Sequence, residues 1–385
     1  MKKYPYCHQT INAKDINAVK KALQADFVTQ GPIVRSFEIK LAKYCGAKYA
    51  VAVSSGTAAL HLACLAAGLK KGAEAITSPI TFLSTSNAVI YVGAKPVFAD
   101  IDAATINIDP NNIKKAVNKR TKAILPVHFA GLPCDMKSIS AIAKKHKLTV
   151  IEDAAHALGA KYLANGKIIK IGSCYHSDMT TFSFHPAKHI TTGEGGAITT
   201  NSDKLYKQLI ALRAHGMYKD KATQKIGPWF YEMRELGFNY RVTDFQCALG
   251  ISQLSKLNGF IAKRRALVRN YNKLFKNIDF IDLVPEPKGF VNSYHLYILK
   301  INYSKFKTTR NDFMKSLMKK GIQTQVNYIP VYLQPYYKNQ FKYKASDFPC
   351  SQKHYNECVS IPLYPELTFN DQEQIASIIL KTLKK

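Results

Sequence analysis

The chain is predicted to be an α/β protein: a mostly parallel seven-stranded sheet with helices on both faces, followed by a smaller C-terminal α/β part. Two observations predict it. From about residue 48, short β-rich runs alternate with stretches of helical spacing, and parallel strands need the long crossovers that helices supply. At 385 residues and 46% apolar composition, the chain can bury the cores of one large and one small domain.

The strand-like runs are Tyr49 to Val53, Glu74 to Thr77, Pro96 to Ala99, Lys122 to Val127, Leu148 to Ile151, Thr180 to Phe184 and Ala197 to Thr200. Helical spacing joins Ala59, Leu62, Ala63 and Ala66 within Thr57 to Ala67, where Gly68 suits a C-terminal cap. Ser138 to His146 turns Ile139 and Ile142 inward and carries lysines in its last turn, where they suit the helix dipole. After Asn201 the helices lengthen: Asp203 to Ala214, then a long basic helix from Asp244 to about Phe275. A strand-like Tyr294 to Ile301 and helices over Arg310 to Lys320 and Asn370 to Leu383 follow. This divides the chain into a large domain over 1–255, with an N-terminal arm, and a small one over 256–385, joined by the long helix.

Lys and Arg exceed Asp and Glu by 29, a field that would draw nucleic acid, anionic lipid or an anionic metabolite. The lysines are spread in pairs such as Lys20-Lys21 and Lys144-Lys145, and no zinc-finger, RNP or helix-turn-helix pattern concentrates them, so no nucleic-acid partner is expected. Eight cysteines lie without a C-x-x-C pair, which argues against a metal site and a disulfide framework. No run approaches the roughly 18 apolar residues of a membrane span, and the basic N-terminus lacks a signal peptide's apolar stretch; a cytoplasmic protein with no membrane partner is expected.

Four segments carry chemistry. Val51-Ala52-Val53-Ser54-Ser55-Gly56-Thr57-Ala58 is a strand breaking at small residues into a helix, which offers unpaired N–H groups and a helix dipole to an anion such as phosphate. Read alone, it is equally a serine or threonine cap. Val150-Ile151-Glu152-Asp153-Ala154-Ala155-His156 ends a buried strand in a carboxylate, at the place where open α/β sheets bind ligands; a capping aspartate and a structural histidine are the plain alternatives. In Ser183-Phe184-His185-Pro186-Ala187-Lys188 the lysine follows Asp153 by 35 positions, and the segment precedes Gly193-Glu194-Gly195-Gly196. Most lysines are solvated, but glycines permit close approach here, and a lysine whose pKa is depressed can form a Schiff base with a carbonyl cofactor. Thr81-Phe82 places an aromatic at a strand end, where it can stack on a flat heterocycle or simply join the core.

Taken in order, Ser55-Gly56-Thr57-Ala58-Ala59-Leu60, Glu152-Asp153-Ala154-Ala155-His156, Ser183 to Lys188 and Gly193-Glu194-Gly195-Gly196-Ala197 resemble the DegT/DnrJ/EryC1/StrS sugar aminotransferases. Thr29-Gln30-Gly31-Pro32 and Gly237-Phe238-Asn239-Tyr240-Arg241-Val242-Thr243-Asp244 extend the likeness over nearly the whole chain.

The resemblance implies a fold-type I pyridoxal-phosphate enzyme, a homodimer with shared active sites. It implies that Lys188 binds the cofactor covalently and later moves the proton, that Asp153 pairs with the ring nitrogen, that His156 sits near the ring and that Phe82 stacks on it. Gly56, Thr57, Ala58 and Ser183 would hold the phosphate, with Asn239 reaching across from the neighbouring subunit. Tyr6, Thr29, Ser55, Gln325 and Tyr328 are the expected substrate side. The expected reaction carries the amino group of L-glutamate to a UDP-linked keto-sugar.

The opening Met1 to Tyr6 and Gln325-Val326-Asn327-Tyr328-Ile329-Pro330 resemble the C4 transaminases of 4-keto-6-deoxy-N-acetylhexosamines on the route to pseudaminic acid, a sugar of flagellin glycosylation. Tyr332 stands where many relatives have histidine, a departure that bears on sugar choice. The alternatives are another nucleotide keto-sugar, such as a D-gluco 4-keto epimer or a C3-keto sugar, and a non-catalytic basic binding protein. Lys188 argues against the family's dehydratases, which carry histidine there. Trp229 has no assigned role.

Overall fold

The computed structural model describes residues 2–219 and 221–383, so Met1 of the opening segment lies outside it. Helices α1 (Ala13–Leu23) and α2 (Pro32–Cys45) precede β1 (Tyr49–Val53), α3 (Gly56–Ala66), β2 (Glu74–Thr77), α4 (Leu83–Tyr91) and β3 (Lys95–Phe98). Then come α5 (Pro110–Ala116), β4 (Thr121–Leu125), α6 (Met136–His146) and β5 (Thr149–Asp153). A hairpin of β6 (Lys161–Ala164) and β7 (Lys167–Lys170) leads to β8 (Met179–Ser183), β9 (Gly196–Thr200), α7 (Asp203–Arg213), α8 (Lys221–Gln224) and the 32-residue α9 (Asp244–Phe275).

The main sheet has seven strands in the order β1-β9-β8-β5-β4-β2-β3. Pairings from β8 through β5, β4 and β2 to β3 are parallel, whereas β9 runs antiparallel to both neighbours. Side chains alternate across it as the pleat requires. Ala50 and Ala52 of β1 face a core built with Phe37 and Leu41 of α2, Ile139 of α6 and Leu257 of α9. Val51 and Val53 face the opposite core, with Leu62 of α3, Val89 of α4 and Leu209 of α7. Both faces are therefore covered, as expected for a parallel sheet.

A further core joins Leu267, Tyr271 and Phe275, from the far half of α9, to Leu299 and Ile301 of the strand Tyr297–Ile301 and to Ile375 and Ile379 of the helix Phe369–Leu383. Tyr4 of the N-terminal arm belongs to this core, because its backbone pairs with Ile322 in a parallel bridge.

The seven strands lie within two residues of their expected ends, and α9 has its expected span. The C-terminal strand begins at Tyr297 and not at Tyr294, because Tyr294 has a φ of 51° and its N–H is taken by the Asn292 side chain at 2.7 Å. Helix α1 was not anticipated; an Asn12–Asp15 capping box starts it. The hairpin of β6 and β7 was likewise absent from the expectation.

Helix α9 is held at its start by Thr243 and Gln246 in a capping box. The carboxylate of its first residue, Asp244, accepts from the N–H groups of Gly31 at 2.8 Å, Ile33 at 3.0 Å and Val34 at 3.3 Å. Asp244 thus satisfies the orphan donors at the start of α2. A Cβ on Gly31 would stand 2.8 Å from that carboxylate and 2.6 Å from Phe27 Cβ, so glycine is required there.

Candidate active site

A cavity of about 600 Å³ opens at the carboxyl ends of the parallel strands. Its wall includes Tyr6, Ser55, Gly56, Thr57, Phe82, Asp153, His156, Ser183, Lys188, Gln325 and Tyr328. Thus the small-residue turn, the strand-end carboxylate, the lysine and the arm, distant in sequence, meet in one place.

One end is suited to an anion. Ser55 caps α3 through a hydroxyl that accepts from Ala58 N–H at 3.0 Å, and the other first-turn N–H groups have no intrahelical acceptor. The turn sits close against the sheet: a Cβ on Gly56 would meet Ser183 Cβ at 2.7 Å, and one on Gly196 would meet Ser55 O at 2.3 Å. The glycines of two separate motifs thereby form one narrow cradle.

At the other end Asp153 closes β5. Its Oδ2 accepts from Thr85 Oγ1 at 2.7 Å and its Oδ1 from Ala155 N–H at 3.0 Å, and no helix follows for it to cap. The adjacent Glu152 faces the other side of the strand. It pairs with His128 at 2.7 Å and accepts from Thr180 at 2.8 Å and from Ser177. Burial pushes the Glu152 carboxyl up, but these three partners outweigh burial and hold it below its ordinary value.

Lys188 follows β8 on a turn in which its N–H donates to His185 O at 2.9 Å. Burial lowers its pKa from 10.5 to about 8, against an upward pull from Asp153 and Cys7. At neutral pH roughly a tenth of such an amine is unprotonated, against well under a thousandth at its ordinary 10.5, so burial makes the nucleophilic form accessible.

Beside Lys188 stands a group of buried histidines. His156 lies 4.3 Å from His295 between ring centroids, and His295 lies 5.7 Å from His189. Burial holds all three well below their ordinary pKa, reinforced in each by Lys188. His156 Nε2 is 3.0 Å from the Tyr328 hydroxyl, while its buried Nδ1 meets no protein partner. The cradle, the carboxylate, the lysine and this spare imidazole nitrogen fit a flat, phosphorylated heterocycle that carries an aldehyde.

Three expected residues do not line the cavity. Ala58 is buried within the first turn of α3, its N–H committed to Ser55; Thr29 is exposed and pairs with Thr243; Asn239 is exposed and pairs with Ala214. Tyr332 is also elsewhere, buried and stacked on Phe348 at 4.7 Å, with its hydroxyl on Gln352 at 3.2 Å. Thr85, Cys7, His295 and Asn327 are at the site without having been anticipated. For Thr85 a signal existed, since it falls in the first turn of α4, directly after the Thr81-Phe82 segment.

Among the described residues, no helix is long and apolar enough to cross a membrane, and no His, Cys, Asp and Glu cluster could hold a metal ion.

A sequence model of the DegT/DnrJ/EryC1/StrS aminotransferase family matches residues 9–380. The spore coat polysaccharide biosynthesis protein SpsC of Bacillus subtilis is 40% identical over 383 residues, covering 99% of this chain and 97% of that protein. Among solved structures, Helicobacter pylori PseC, an aminotransferase involved in the biosynthesis of pseudoaminic acid, matches with a TM-score of 0.91 at 32% identity over 100% of both chains. NtdA of Bacillus subtilis, solved with bound cofactor PMP, matches with a TM-score of 0.84 at 30% identity, over 97% of this chain and 82% of its own.

Proposed function

The chain belongs to the DegT/DnrJ/EryC1/StrS aminotransferase family, and from that premise we propose that it transfers the amino group of L-glutamate to C4 of a UDP-linked 4-keto-6-deoxy-N-acetylhexosamine. It is a pyridoxal-phosphate-dependent sugar aminotransferase of the fold-type I architecture. The observation that carries the sugar assignment is the full-length likeness to the Helicobacter pylori aminotransferase named for pseudaminic acid biosynthesis. On this reading the substrate is UDP-2-acetamido-2,6-dideoxy-β-L-arabino-hex-4-ulose and the product UDP-4-amino-4,6-dideoxy-N-acetyl-β-L-altrosamine. A second reading, a different nucleotide keto-sugar, draws on the likeness to a protein of spore coat polysaccharide biosynthesis.

When bound, pyridoxal phosphate supplies an aldehyde that exchanges amino groups and a ring that takes up electrons as a proton moves. Lys188 would hold it covalently, and its Nζ, of depressed basicity, would move that proton. Asp153, fixed by Thr85 and Ala155, would face the ring nitrogen; Phe82 would cover one ring face and His156 would stand beside the ring. The turn Ser55, Gly56, Thr57 and the facing Ser183 would take the phosphate. Tyr6, Gln325 and Tyr328 would meet the sugar and exclude water.

We assign residues 1–255 to the cofactor domain and 256–385 to the small domain, in a cytoplasmic homodimer. Two features support a shared active site: Asn239 is exposed and outside its own cavity, and the nearby Trp229, Tyr231, Met233 and Leu236 are exposed apolar side chains, Trp229 by 71%. Incubation with glutamate and each UDP-4-keto-6-deoxy-HexNAc epimer, followed by NMR of the product, tests the assignment. Amination of neither epimer would remove it.

A further inference from the structure

Arg264 of α9 is only 1% exposed, and a guanidinium keeps its charge at neutral pH even when buried. Its Nη1 donates to the carbonyl oxygens of Tyr294 at 3.2 Å, His295 at 3.3 Å and Leu363 at 3.0 Å. Its Nε–H is buried and meets no protein acceptor. Among the described residues no carboxylate is within ion-pair distance of it, and Glu366 acts on it only from farther away. A buried charge left without a counter-charge is costly, so the surroundings of Nε call for an anion.

Arg264 borders a second, much smaller cavity, which leaves about 10 Å³ for the centre of a water-sized sphere, the room of a single small particle. Lys188, His189, Thr10 and Gln253 share its wall, and none of its lining residues is acidic. Thr10 Oγ1 is likewise buried without a partner, while the Thr10 carbonyl accepts from Gln253 Nε2 at 2.8 Å. Two orphaned polar atoms, one from the N-terminal arm and one from α9, thus border one small space beside two basic side chains. A water molecule could bond both atoms but brings no net charge to offset the guanidinium. A carboxylate or phosphate brings the charge but exceeds the room.

We propose that this cavity is a binding site for a monoatomic anion, chloride, which accepts from Arg264 Nε–H and the Thr10 hydroxyl and lies beside Lys188. The ion ties three separate segments together: the arm at Thr10, α9 at Arg264, and the turn that carries Lys188. Exposed His8 and Gln9 belong to the same wall, which gives the ion a route to solvent. The site is independent of which sugar, or which cofactor, the larger cavity takes.

The test pairs crystals of the purified protein soaked in sodium bromide with melting temperatures in sodium chloride, bromide and gluconate at equal ionic strength. Gluconate screens the basic surface equally but is too large for the cavity. Bromide should give an anomalous peak in contact with Arg264 Nε and Thr10 Oγ1. Halide at about ten times its dissociation constant should raise the melting temperature over gluconate by on the order of 2 °C. Arg264→Met should abolish that gain. Thr10→Val, which keeps the shape and removes one donor, should reduce it, and decides the matter should Arg264→Met fail to fold. Equal melting in halide and gluconate, with no peak, would mean that the cavity holds water, and overturns the proposal. A peak without halide-specific stabilisation would be an adventitious ion only. A halide gain undiminished in Thr10→Val would place the binding elsewhere, and likewise overturns it.

Discussion

Thr85 Oγ1 donates to Asp153 Oδ2 at 2.7 Å and stands 2.7 Å from Thr81 Oγ1. A hydroxyl has one proton, and a carboxylate can only accept, so Thr81 must be the donor to Thr85. The carboxylate is thereby aimed by a relay from the first turn of α4 and not by β5 alone. Thr85→Val keeps the shape and removes the donor. Loss of a buried hydrogen bond to a charged group costs about 1.5–3 kcal/mol, so cofactor affinity should fall by roughly 10-fold or more, read by equilibrium dialysis. Unchanged affinity would show that Asp153 needs no such aim.

Burial of Lys188 gives a pH signature in the cofactor-free protein. Its folded pKa, about 8, lies below the ordinary 10.5, so between these values the unfolded chain binds more protons. Stability from this group therefore rises as pH increases from about 8 to 10.5, and its full penalty is present below about 8. Lys188→Met should be the more stable protein at pH 7, by on the order of 3 kcal/mol, with the difference shrinking as pH rises through that window. The same substitution should abolish the cofactor's visible absorbance.

His189 is held at about 3 by burial, assisted by Arg264 and Lys188, while its bond to Ser293 O pulls the other way. Below 6.5 the unfolded imidazole is protonated and the folded one is not, so stability is lost as pH falls from 6.5 towards 3. His189→Asn, which can keep a donor for Ser293, should lose less melting temperature than wild type between pH 6.5 and 4. Identical acid curves would assign the loss to other groups.

Gly196→Ala should damage the cradle more than Gly56→Ala. The added carbon at 196 meets backbone, Ser55 O at 2.3 Å, whereas at 56 it meets the Ser183 side chain. Overpacking costs about 1–3 kcal/mol, and at Gly196 it falls on the anion end, so calorimetry should show weakened phosphate binding together with a lower melting temperature.

The sheet was legible because two-sided burial writes each strand as a short apolar run, and Thr57, Asp153 and Lys188 stand at strand ends, where such sheets gather ligands. Tyr294 misled because a backbone set by Asn292 overrides its β-forming side chain. Thr85, Asn327 and His295 went unread for a different reason. Thr85 and Asn327 reach the site through hydrogen bonds, and His295 through ring contact, with residues far along the chain, and a single hydroxyl, amide or imidazole leaves no periodic trace in sequence. Thr29 and Asn239 are exposed and outside the cavity of their own chain.

Helix α9 begins by fastening the turn before α2 through Asp244 and ends inside the core that holds Tyr4. At 1.5 Å per residue this rod spans about 48 Å without a break, and each residue sets the azimuth of the next by roughly 100°. Deleting one residue near its middle would swing the C-terminal core around the shaft by that angle and carry Gln325, Asn327 and Tyr328 away from Lys188. Length in this stretch is therefore a stricter requirement than the identity of most of its side chains, and natural variation there should exchange residues without inserting or removing any.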